Sequence, residues 1–255
     1  MAEITFNSIG TYHSSQIHPY DAGRQPDSLH AEGLIKLESG QNFEQALTGL
    51  SGCKKIWVIF LFHHNEHWNP MVLPPRGGNT KQGVFATRSP YRPNPIGMSC
   101  VDLVSIEGLN LKISGADLLD GSPILDIKPY LAYADSFPEV MPNWLLGASP
   151  YKISFSEKSE EQLSWLEQNG LVQLRSFIVH QLEYEPTNGK KKRVKQTETS
   201  FILSYRTWRV CFQVLEQEIT IENIFSGYSV EDLNEQSDIY SDKDLHRNFK
   251  QRNQK

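Results

Sequence analysis

Lys55-Ile-Trp-Val-Ile-Phe-Leu-Phe62 contains the longest apolar run in the 255-residue chain. It is rich in β-branched and aromatic residues and too short for an ordinary helix, so it predicts a strand buried on both faces. Working outward, Ile4–Tyr12 and Gly33–Glu38 precede it as strand candidates, and Ser99–Glu107, Asn110–Ser114 and Pro123–Ile127 follow. Asn42 ahead of residues 43–50 reads as a short capped helix. Many short strands divided by Gly and Pro turns predict a mainly β protein whose first 150 residues form a closed or nearly closed β-barrel.

The pattern changes after Pro150. Ser156–Gly170 carries an N-cap serine, acids in its first turn and a terminal glycine, the marks of a helix. A second amphipathic helix is expected over Val172–Tyr184. Ser200–Leu215 then reads as a strand, joined through Glu216-Gln217-Glu218 to Ile219–Phe225 as a hairpin. Residues 151–226 are therefore expected to form a smaller α+β C-terminal domain. The polar stretch 227–255 is expected to be a disordered tail.

Composition limits the function. Hydrophobic residues make up 38% of the chain, enough for a packed core, and no run nears the roughly 20 apolar residues of a membrane span. The start, Met-Ala-Glu-Ile-Thr, has neither a basic segment nor an apolar one, so no signal peptide is expected. Cys53, Cys100 and Cys211 are few, odd in number and far apart, which argues against a disulfide framework and suits the cytoplasm. A net charge of -5 argues against coating nucleic acid by bulk charge, while leaving room for contact through a local patch.

Such a patch exists. In Gly83-Val-Phe-Ala-Thr-Arg-Ser-Pro-Tyr-Arg-Pro-Asn-Pro-Ile-Gly97 three prolines fall within six residues, excluding a helix interior or a central strand. Arg88 and Arg92 thus sit on a stiff loop suited either to an anionic ligand or to a purely structural connection. From Pro70 to Cys100 there are four cations, Arg76, Lys81, Arg88 and Arg92, and no acid. Further on, Gly189-Lys-Lys-Lys-Arg-Val-Lys195 is a basic loop, either solvated or a phosphate contact. His63-His-Asn-Glu-His67 imitates a zinc-protease motif, but it follows a strand directly and Trp68-Asn69-Pro70 ends it. The helix that would aim both histidines at one metal has no room, so no metal is expected.

The loop 83–97, with Arg24-Gln25-Pro26 upstream and Asp120-Gly-Ser-Pro-Ile-Leu-Asp-Ile-Lys-Pro-Tyr130 downstream, resembles the TrmO (TsaA-like) family. These are β-barrel, S-adenosylmethionine-dependent methyltransferases acting on tRNA. The resemblance implies methyl transfer to N6 of N6-threonylcarbamoyladenosine, 3′ of the anticodon. It places Gly23, Arg24, Gln25, His63, His64, Arg88, Cys100, Asp120, Gly121, Ser122 and Pro123 against the cofactor. The chain has no strand–Gly-x-Gly–helix fingerprint of a Rossmann methyltransferase. The acceptor nitrogen is ureido-like and a weak nucleophile, so positioning and a base are needed. Asp126 is the candidate base, and Arg92, Lys128 and Tyr130 are candidates for holding the substrate. The family also implies a homodimer. Two other classes stay open: a non-catalytic S-adenosylmethionine- or RNA-binding module, and a metal-dependent hydrolase built on the His63 cluster.

Overall fold

The computed structural model describes residues 4–17, 32–145 and 149–253. The chain divides into two units, Met1–Gly147 and Ala148–Lys255. The first is built from β1 (Gly10–His13), β2 (Glu32–Leu37), α1 (Phe43–Ala46) and β3 (Lys55–Leu61). A small ribbon follows, β4 (Met71–Val72) and β5 (Gln82–Gly83), and then β6 (Ile96–Glu107), β7 (Asn110–Ser114), β8 (Pro123–Pro129) and α2 (Ala132–Asp135). Six strands close into a barrel in the order β1-β2-β7-β6-β3-β8, and every neighbouring pair is antiparallel.

Alternation, not two-sided burial, governs the central strand. β3 buries Ile56, Val58 and Phe60 inside the barrel and leaves Trp57, Ile59 and Leu61 half-buried outside. The run is continuously apolar because the outer surface on its β6 side is apolar too: Met98 and Ile96 of β6 lie directly opposite Ile59 and Leu61 and are exposed. The interior is filled by Tyr12, Ile35, Ile56, Val58, Val101, Leu111, Ile113 and Ile124, among others. Gly97 fits this interior only as glycine, because a Cβ there would overlap the Phe60 ring of its cross-strand partner. Between β3 and β8 the register slips: Ile59 faces Asp126 but Phe60 faces Ile124, so Leu125 is a bulge residue.

Two expected strands move at their ends. Ile4–Tyr12 shrinks to β1, with Ile4 and Phe6 exposed. β6 begins at Ile96, earlier than Ser99, because the last proline of the loop is Pro95. The Asn42 side chain does not cap its helix; it donates to Gln45 Oε1 at 2.7 Å instead.

The second unit contains β9 (Lys152–Phe155), α3 (Glu157–Gln168), α4 (Leu174–Leu182), β10 (Val194–Gln196), β11 (Phe201–Tyr205), β12 (Trp208–Leu215), β13 (Glu218–Ser226), α5 (Val230–Asn234) and α6 (Lys243–Asn253). Its five-stranded sheet runs β10-β11-β12-β13-β9, with β9 parallel to β13. Ser156 caps α3 by accepting from Ser159 N at 3.2 Å. The single strand expected over Ser200–Leu215 is two, because Arg206 takes positive φ and turns the chain.

The segment 227–255 is not disordered where it is described. α5 carries a capping box through Ser229 and Asp232, and α6 packs on the sheet. Phe249 is buried edge-on to Trp208, and the His246 ring stacks on Trp208 with centroids 3.7 Å apart. His246 Nδ1 lies 2.8 Å from Ser226 Oγ, and its Nε2 lies 2.9 Å from Thr207 Oγ1. A polar tail escaped recognition because half of what docks it is polar. Low apolar content predicts disorder only when polar groups lack buried partners.

Candidate functional site

The turn Asp120-Gly121-Ser122 is sewn to the end of β1 by main-chain bonds. Gly121 N donates to Tyr12 O at 2.8 Å, Asp120 N to Gln16 O at 2.8 Å, and Tyr12 N to Ser122 O at 3.0 Å. Gly121 has φ 77°, a left-handed conformation that glycine adopts without strain. Asp120 Oδ1 accepts from Ser14 N at 3.0 Å and lies 3.6 Å from His13 Nδ1. His63, just past the end of β3, meets this turn: its Nδ1 is 3.4 Å from Ser122 Oγ. A Cβ on Gly121 would come within 3.7 Å of His63 Nε2. The His64 ring lies against His63, centroids 4.0 Å apart. Burial and the neighbouring His64 hold the His63 imidazole below its ordinary pKa, so the ring is favoured in its neutral form.

Under the same mouth lies a carboxyl that the motif reading did not single out. Asp117, between β7 and the turn, accepts a hydrogen bond from the fully buried Ser99 hydroxyl of β6. Burial pushes the Asp117 carboxyl up to about 6, while Ser99 and the charge of Arg88 pull the other way. Burial likewise pushes the Tyr12 phenol up to about 12, and Asp117 and Asp120 add to it. Arg88 therefore stands within electrostatic reach of this buried acid while its own side chain is exposed. The signal available in sequence was slight: an acid between Ala116 and Leu118 in an otherwise apolar stretch.

The expected site residues separate into groups. His63, His64, Asp120, Gly121 and Ser122 are brought together, Pro123 begins the strand that leaves the turn, and Arg88 approaches through Asp117. Gly23, Arg24 and Gln25 lie outside the described residues. Arg92 braces its own loop, donating from one guanidinium nitrogen to Val84 O at 3.1 Å and to Thr87 O at 2.8 Å. Asp126 and Lys128 lie opposite Ile59 and Trp57, hence on the outer face of the barrel, and form an ion pair at 2.7 Å. Tyr130 packs against Trp57 there, with ring centroids 5.9 Å apart. Cys100 is the direct cross-strand partner of Trp57, on that same outer side. The row Asp126, Lys128, Tyr130 thus shares one face, as its alternation implied, and no described side-chain contact ties it to the His63 turn.

Residues 63–67 form no helix, and among the described residues no three His, Cys, Asp or Glu side chains converge on a metal-sized position. No described helix is long and apolar enough to cross a membrane. In the basic loop, Lys192 Nζ donates to Gln181 O and Tyr184 O at the end of α4, and Lys191 pairs with Glu185 at 2.6 Å with its side chain only 2% exposed. Lys190, Arg193 and Lys195 are exposed.

Comparison with known proteins adds the chemistry. The family profile described as the tRNA-methyltransferase O N-terminal domain matches residues 11–136, a span containing all of the barrel except the start of β1. The tRNA (adenine(37)-N6)-methyltransferase of Escherichia coli K12 is 36% identical over 224 residues, covering 84% of this chain and 93% of the relative. Its namesake in Eikenella corrodens is 55% identical over 95 residues, covering 35% of this chain and 54% of the relative. The crystal structure of TrmO from Pseudomonas aeruginosa matches with a TM-score of 0.61 at 28% identity, covering 88% of this chain and 98% of that one. A barrel whose His63 meets the Asp120–Ser122 turn, and a likeness that runs nearly the full length of a relative, lead to one assignment: the chain belongs to the tRNA-methyltransferase O family.

Proposed function

We propose that the protein transfers a methyl group from S-adenosylmethionine to N6 of N6-threonylcarbamoyladenosine at position 37 of tRNA, in the cytoplasm. The observation that carries this reading is the convergence of His63 on the Asp120-Gly121-Ser122 turn in a chain similar to tRNA (adenine(37)-N6)-methyltransferases. The donor set suits the cofactor. Asp120 offers a carboxylate to a cationic group, Arg88 a cation to a carboxylate, and the tight Gly121 turn a close backbone approach. S-adenosylmethionine supplies an electrophilic methyl group. His63, neutral and partly buried beside Ser122, orients the turn and can accept a proton there. Asp126, paired with Lys128 on the outer face, is better placed to organise that face than to act as a base.

The second unit is read as an accessory α+β domain. Its exposed Lys190, Arg193 and Lys195 suit contact with tRNA phosphates. The apolar outer surface around Trp57, Ile59, Ile96 and Met98 suits a second copy of the chain, in keeping with a homodimer.

Mass spectrometry of anticodon-loop nucleosides from cells with and without the gene tests the reading. The methylated nucleoside should vanish with the gene and return with a plasmid copy. Its persistence in the deleted cells would refute the assignment. Binding of S-adenosylmethionine by calorimetry that survives a chelator separates it from a metal-dependent hydrolase, and turnover separates it from a binding module.

A further inference from the structure

The proline-rich loop does more than frame the cofactor turn. Its base is anchored at the site, since Phe62 N donates to Pro95 O at 2.8 Å immediately before His63. From there it is braced at several points. The Asn65 side chain donates to Pro90 O, Asn69 N to Tyr91 O at 3.1 Å, and Val84 N to Pro70 O at 3.0 Å. These bonds tie together the segments that carry Trp68, Phe85 and Tyr91. The rings nevertheless stay in solvent: Trp68 is 53% exposed, Phe85 77% and Tyr91 45%. Arg92 lies over Phe85, 5.7 Å from its centroid, and fixes that ring without covering it.

Three large aromatic side chains held outward on a rigid loop need an explanation, because single exposed hydrophobes are ordinary but a stiff cluster is not. Charge selects among the possible occupants. The stretch Pro70–Cys100, which includes Phe85 and Tyr91, contains Arg76, Lys81, Arg88 and Arg92 and no acid; Glu66 is the nearest acid before it. Unstacked RNA needs both features at once, since each base has a π-face for a ring and each phosphate a charge for a cation.

We propose that Trp68, Phe85 and Tyr91 are a base-stacking platform for a single-stranded RNA loop, with Arg76 and Lys81 meeting its phosphates. The inference rests on the tRNA methyl-transfer reading and deepens it. The target adenosine is delivered to the His63 turn because bases flanking it are held on the adjoining loop. Prolines and backbone bonds pre-set the rings, so little conformational freedom is lost on binding.

The test uses the full-length protein and an unmodified anticodon stem-loop RNA, with a duplex RNA of equal length as competitor. Trp68→Ala, Phe85→Ala and Tyr91→Ala should each weaken hairpin binding by about 5- to 150-fold, the range for losing one stacked base. The slope of affinity against salt should not change in these variants, whereas Arg76→Ala should make it shallower by about one phosphate contact. Phe85→Leu should bind as poorly as Phe85→Ala and Phe85→Trp should recover, since area without a π-face does not stack. Calorimetric affinity for S-adenosylmethionine should stay at the parent value in all of them. Unchanged hairpin binding with methyl transfer intact would overturn the platform and leave the methyl-transfer reading standing. Equal losses on duplex and hairpin, or variants that turn a dimer into a monomer by light scattering, would also overturn it. Failure of the parent protein to bind the cofactor or methylate tRNA would instead refute the function itself.

Discussion

Replacing Asp117 by Asn tests the buried acid beneath the site. The folded protein holds this carboxyl at about 6, against an ordinary value of 3.8, chiefly because burial disfavours its charge. The unfolded chain therefore releases the proton near pH 4, while the folded chain keeps it until near pH 6. Stability is highest below the unfolded pKa, falls as pH rises through this window, and stays lower above it. A gap of about 2 pKa units corresponds to about 3 kcal/mol. Asn has nearly the same shape and keeps an oxygen for the Ser99 hydroxyl, but has no proton to lose. The variant should thus exceed its parent in stability at pH 7 by up to about 3 kcal/mol, with the gap closing towards pH 4. Urea unfolding across pH 4–8, together with carbon-detected NMR titration of the Asp117 carboxyl in the parent, measures both quantities. A gap that stays constant across that range, or a carboxyl that titrates near 4, would refute the reasoning.

Other expectations follow from the same geometry. Arg88→Ala should weaken S-adenosylmethionine binding by about 10- to 100-fold, the loss of one charge-assisted contact, and should move the Asp117 midpoint upward. Phe249→Ala should cost about 3–5 kcal/mol and expose α6 to limited proteolysis, whereas a disordered tail would show neither effect. Lys191→Ala should lower stability and leave the salt dependence of tRNA binding unchanged, because its charge is paired with Glu185; Lys195→Ala should make that dependence shallower. Gly97→Ala should destabilise the barrel by about 1–3 kcal/mol, and adding Phe60→Leu should recover part of the loss in a thermal melt.

The barrel was legible because its short apolar strands are divided by turns rich in Gly and Pro, although β3 hides its alternation in a continuous apolar run. What lay hidden needed a partner to be seen. Asp117 looks like any isolated acid until Ser99, 18 residues earlier in the chain, is brought beneath it. The outward placement of Asp126 follows from pairing with Ile59 next to the Leu125 bulge, and a bulge leaves no mark in the residues that make it. Lys191 and Lys192 sit in a run that reads as solvated, yet both are absorbed by the end of α4 and by Glu185. Residues 63–67 follow β3 directly and form no helix, as the strand before them and Pro70 after them imply. The order of the tail is hidden from composition because His246 and Lys243 are polar residues buried by packing.

The parallel pairing of β9 with β13 bears on how the chain is made. β1 finds its barrel partner β8 once residue 129 has been synthesised, so the first unit has its full set of strands early. β9 stands at the start of the second unit, yet its partner ends at Ser226. Until β13 emerges, the apolar Ile153 and Phe155 have no ladder to join, and α3 lacks the strand it packs on. The order of synthesis thus separates the two units in time: a finished barrel precedes a second unit that must wait for its last strand. A nascent chain in which β9 has emerged from the ribosome before residues 218–226 would carry a closed barrel and an unpaired β9, open to strand-edge association.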